Sequence, residues 1–212
     1  MSIFYEDSSS APVYLEVSLA CPAGRLTDFN ELLQRGFQLG VELGASVRSV
    51  LCGQLGVSDE YLDHRINTIF LDGKSVDDVD SSTIGEGSVL ALSASMPGFV
   101  GAALRKGGRY AAMRREISHV EQEGLRSGAK GRFTLKLYNH VAKELGPFFL
   151  ESGVWINAVE LVIFLAGRPP RFWPGLSTRE SDWREISSDH WLRRLDWQER
   201  RALVHLTVKG VE

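Results

Sequence analysis

The sequence predicts an α+β protein in two parts: an N-terminal sheet crossed by one helix, then a mainly helical α+β C-terminal domain. Three observations carry this reading. Two early segments alternate apolar and polar residues with period two, a later one shows an apolar face at helical spacing, and charge divides sharply near Leu104. Residues 1–104 hold 5 Lys/Arg against 14 Asp/Glu, whereas residues 105–212 hold 19 against 13. The expected division is residues 1–104, a basic connecting helix and linker over 105–131, and residues 132–212.

The first strand is expected from Val13 to Leu19, where Val13, Leu15, Val17 and Leu19 share one face. A second runs from Phe37 to Leu43 on the same pattern. Between them Leu26, Phe29, Leu32 and Leu33 recur at helical spacing before Gly36, so a short helix replaces a tight hairpin turn. Ser46 then caps a helix over 46–55 whose apolar face is Val47, Val50, Leu51 and Leu55. SDEYLDHR reads as a polar turn, INTIFLDGK as a strand ending at the Asp72-Gly73 turn, and SVLALSAS as a last strand before Pro97.

Strand, strand, helix, strand, polar loop, strand is also the order of the ubiquitin-like β-grasp fold. The stretches GASVRSVLCGQLGV, NTIFLDGKSVDDVD and IGEGSVLALSASMPGFVG resemble its sulfur-carrier branch, the small subunit of molybdopterin synthase and the thiamine-biosynthesis carrier (MoaD/ThiS-like). The likeness spans about residues 13–101. It implies a partner-binding β-grasp domain and, in the carriers, a Gly-Gly tail whose carboxylate becomes a thiocarboxylate. Here Gly107-Gly108 is followed by 104 further residues, so the fold and the binding of a partner protein carry over and sulfur transfer does not.

In the second half, Tyr110, Met113, Ile117 and Val120 suggest a connecting helix, and SGAKG at 127–131 a linker. Leu135, Tyr138, Val141, Ala142 and Leu145 suit a helix that Gly146-Pro147 interrupts, although RFTLKLYN also reads as a strand. Asn157 caps the apolar AVELVIFLAG, expected to be a buried helix ended by Arg168-Pro169-Pro170, and RALVHLTVKG reads as a closing strand.

At 43 % hydrophobic and 24 % charged residues the chain is neither disordered nor collagen-like. Cys21 and Cys52 are too few for a disulfide scaffold and point to reduced, cytoplasmic thiols. An acidic N-terminus and the lack of an 18-residue apolar run speak against export and membrane insertion. A net charge of +6 over residues 105–212 is too dilute for a nucleic-acid surface.

Candidate chemistry is sparse. Arg105, Lys106, Gly107, Gly108 and Arg109 would form an anion site if a helix began near Arg109, or otherwise a solvated basic turn. Trp173, Trp183, Trp191 and Trp197 among arginines have interface composition, or fill a core. His140 with Glu144, and His119 with Glu123, have i, i+4 spacing but lack a third metal ligand nearby. No histidine lies near either cysteine, and neither a P-loop nor a dinucleotide fingerprint occurs. No catalytic residue, metal or cofactor is therefore assigned. The expectation is a non-catalytic β-grasp interaction or adaptor protein with a protein partner or a second copy of itself. The alternatives are a carrier precursor processed after Gly108 and an enzyme with an anion site at the Gly-Gly region.

Overall fold

A computed structural model describes residues 14–94, 98, 101, 104–108, 128–178, 184–185 and 203–211. The strands are β1 (Tyr14–Pro22), β2 (Phe37–Glu42), β3 (Thr68–Leu71), β4 (Lys74–Ser75), β5 (Val89–Ser93), β6 (Lys130–Tyr138), β7 (Val154–Asn157), β8 (Ser177–Thr178), β9 (Arg184–Glu185) and β10 (Leu203–Val211). All ten join one mixed sheet in the order β4-β3-β5-β6-β2-β7-β10-β1-β8-β9. Two of the pairings, β1 with β10 and β5 with β6, are parallel. The chain is thus α+β with a large mixed sheet.

The early strands lie where the alternation puts them, but not beside each other. An excursion through a short helix suggests that β1 and β2 pair, whereas β7 and β10 stand between them. β2 instead pairs antiparallel with β6 over six residues, Phe37 opposite Leu135 and Glu42 opposite Lys130. Alternation specifies which face a strand buries and leaves its neighbour open. The neighbours are chosen by strands far along the chain whose apolar faces complete the same layer.

That layer is one core. Val17 and Leu19 of β1, Phe37 and Leu39 of β2, Leu90 and Leu92 of β5, Leu135 and Leu137 of β6, and Val204, Leu206 and Val208 of β10 are all buried in it. A 3₁₀ turn (Ala23–Phe29) leads into α1 (Asn30–Arg35), which stops at Gly36 with φ 120°. Leu26, Phe29, Leu32 and Leu33 from these turns are all buried, as their spacing required. The helix expected over 46–55 spans residues 47–54, with Ser46 Oγ accepting the Ser49 N–H at 3.2 Å. Val47, Val50 and Leu51 are fully buried. Its second part, Ser49–Gln54, winds as a π-helix.

Three local readings need correction: the linker expected at 127–131 already enters β6, where Lys130 and Gly131 pair with Glu42 and Val41. The supposed polar turn SDEYLDHR contains α2 (Asp59–His64), capped by Ser58 Oγ on the Tyr61 N–H and acidic in its first turn. That cap was the signal to follow. Gly146-Pro147 does not interrupt the next helix: α3 runs through both from Asn139 to Ser152. A Cβ at Gly146 would come within 2.8 Å of Leu33 Cδ1, so the glycine admits α1 at close approach. The stretch RFTLKLYN is strand up to Tyr138, the second of its two readings. α4 (Ala158–Ala166) is capped by Asn157 Oδ1 at 2.9 Å. It buries Leu161, Phe164 and Leu165 but leaves Ile163 48 % exposed, so it is one-sided rather than enclosed.

Candidate functional site

The start of helix 47–54 is tied to the loop after β4. Val47 N–H donates to Ser82 O and Arg48 N–H to Val79 O, which fixes Asp80 beside the Arg48 side chain. α2 presents Asp59 and Asp63, one turn apart, from the other side. Arg48 therefore meets three carboxylates: Nη1 to Asp59 Oδ1 at 2.7 Å, Nη2 to Asp63 Oδ1 at 2.8 Å and Nε to Asp80 Oδ1 at 2.7 Å. The guanidinium is the more enclosed partner at 28 % exposure, while Asp59 and Asp80 remain 68 % and 65 % exposed. Hydrogen bonds from Arg48 hold the Asp63 carboxyl below the ordinary aspartate range. Asp78 Oδ1 accepts the N–H groups of Asp80 and Ser81, which stiffens the same loop.

The basic Gly-Gly segment lies against this acidic edge. Lys106 Nζ donates to Leu62 O at 2.8 Å near the end of α2, and Lys106 N–H to Asn67 O at 2.6 Å. Gly107 N–H donates to Asp77 Oδ1 at 3.3 Å. Gly107 has φ 60°, a left-handed conformation that glycine adopts without steric cost. This part of the proposed anion site is thus met by two backbone carbonyls and the Asp77 carboxylate of the chain itself; Arg109 lies outside the described residues. Burial lowers the Lys106 pKa, against the opposing pull of Asp63 and Asp80. Cys52, one turn beyond Arg48, is pushed up to about 11 by burial and by Asp59, so its thiol stays protonated.

Elsewhere, Glu144 accepts from Tyr61 Oη at 2.7 Å and pairs with Arg65, so its carboxylate is engaged by those two groups. No group of three metal-ligating side chains occurs among the described residues, and His119 and Glu123 lie outside them. Trp173 is 9 % exposed and packs edge-on against Phe172, while Trp183, Trp191 and Trp197 are outside the described residues. On the sheet face away from the core, Arg132 lies over the Trp155 ring at 4.7 Å, and that ring packs on His205 with centroids 4.8 Å apart. No helix among the described residues is long and apolar enough to cross a membrane.

Sequence reading found the acidic excess of residues 1–104 and the Gly-Gly segment, but not their meeting. Arg48 and Asp80 are 32 positions apart, and Lys106 is 44 from Leu62. Comparison of the chain with known protein families, with curated proteins and with solved structures finds no match to any of them.

Proposed function

We propose that this chain is a non-catalytic interaction or adaptor protein whose acidic edge, Asp59, Glu60, Asp63, Asp77, Asp78 and Asp80, receives a basic protein partner. The observation that carries the proposal is the Arg48 clamp. It fixes α2 and the 77–80 loop relative to each other while leaving two of its three carboxylates about two-thirds exposed. A prearranged set of exposed charges steers an oppositely charged partner and fixes its register.

The β-grasp reading has support in the block β2-β6-β5-β3-β4, where helix 47–54 lies between β2 and β3 in sequence and β5 runs parallel to β6. In this reading the strand between β2 and β5 comes from residues 130–138, not from β1. Processing after Gly108 would sever that strand from both neighbours, which weighs against a carrier precursor. Adaptor function is tested by crosslinking in the native cell followed by mass spectrometry, comparing the wild type with an Asp59→Asn/Glu60→Gln/Asp80→Asn variant. The expected result is a basic partner, crosslinked near α2 and released by salt, that the variant loses while its circular dichroism stays native. A partner equally retained by the variant rejects the acidic edge.

A further inference from the structure

Residues 104–108 make a specific set of contacts on that edge. The Lys106 ammonium is half-buried over the end of α2, its backbone N–H reaches Asn67 just before β3, and the next N–H reaches the Asp77 carboxylate. Gly108 N–H closes the turn on Arg105 O at 3.0 Å, which the positive φ of Gly107 permits. These three partners, Leu62 O, Asn67 O and Asp77 Oδ1, lie on a helix end and two loops. None of them is a sheet hydrogen bond, and none of the five residues belongs to the hydrophobic cluster.

We propose that residues 104–108 form a releasable strap, fastened by Lys106, that covers one end of the acidic edge and restrains its binding of a basic partner. The proposal rests on the acidic-edge reading above. The strap brings to the edge what such a partner would bring, a cation and backbone N–H donors, and it opens the basic run RKGGRYAAMRR. An intramolecular segment competes at high effective concentration, so even weak contacts hold back a separate chain. Because those contacts are polar and lie outside the core, their loss opens the strap locally rather than unfolding the sheet.

The test uses the full chain as wild type, Lys106→Gln and Gly107→Val. The second variant acts by another route: a Cβ at Gly107 meets nothing within 4 Å, so only the backbone conformation is strained. Amide hydrogen exchange is read at residues 106–107 and in β3, β5 and β6. The binding probe is a fluorescent synthetic peptide, LRKGGRYAAMRR. The expected result is exchange about tenfold faster at 106–107 in both variants, unchanged exchange in the three strands, and peptide binding at least about fivefold tighter than to the wild type. Unchanged exchange at 106–107, or acceleration throughout the strands, overturns the strap. Local acceleration with equal peptide affinity in all three proteins overturns its restraining role. Local acceleration with no peptide binding to any of them supports a releasable strap and rejects the acidic edge instead.

Discussion

Leu51 is fully buried between helix 47–54 and the sheet, and truncation to alanine removes apolar contacts that the backbone cannot close over. Leu51→Ala is expected to lower stability by about 2–5 kcal/mol in urea unfolding; a loss under about 1 kcal/mol would contradict the packing described. His205 gives a prediction in pH. Its ring stands over Gly153, where an added Cβ would lie 2.5 Å from Nε2, and burial lowers its pKa while Glu16, opposite it in register, pulls the other way. The folded state thus takes up a proton less readily than the unfolded one. Stability is complete above the ordinary histidine value of about 6.5 and falls as pH drops from there through the folded value. The urea midpoint of the wild type should decline over that window, and His205→Gln should flatten the decline. Glu31 and Glu144, held below the usual glutamate range by hydrogen bonds from arginines and, for Glu144, Tyr61, contribute a separate loss below about pH 4.5. Burial at Val47, Val50 and Leu51 was legible because spacing encodes it. The setting of His205 was not, since Gly153 and Glu16 reach it through sheet register.

Strand positions were more legible than strand partners. β10 shows why: its buried face is Val204, Leu206 and Val208, with Leu203 on the other side, and it lies between β7 and β1. A strand flanked on both sides tolerates proline poorly, because a ladder N–H is lost. Val204→Pro is expected to cost about 3 kcal/mol or more, measured by urea unfolding, or to prevent folding at 37 °C. A native-like midpoint would argue against β10 as an inner strand. Among the elements the sequence reading missed is β7, where VWIN is only four residues long and was not singled out as a strand. Its single paired position with β2, Gln38 opposite Trp155, nevertheless joins the two flanks of the sheet.

Across the whole molecule the contrast between an acidic first half and a basic second half suggests attraction between them, and the contacts among the described residues run in both senses. Among the described residues Arg35 and Arg65 reach Glu160 and Glu144, and Arg25 donates to Phe172 O and Pro174 O, whereas the pair of Arg168 with Glu31 and the contact of the Lys106-Gly107 segment with Asp77 have the expected sense. These groups are partly exposed, and solvent screening leaves such pairs little weight in stability. Cohesion therefore rests on the shared apolar core. Unfolding followed by tryptophan fluorescence and by far-ultraviolet circular dichroism should coincide, and 1 M NaCl should move the midpoint little. Two separate transitions, or a large shift with salt, would show that the halves are joined mainly by charge. The parallel pairing of β1 with β10 also sets a schedule for synthesis. β1 emerges from the ribosome about 180 residues before the strand that covers its long flank, a wait of roughly 10–35 s at cellular elongation rates. Through that interval its alternating apolar face and open backbone lack their long partner strand, so this topology is most open to misassociation while the chain is still being made.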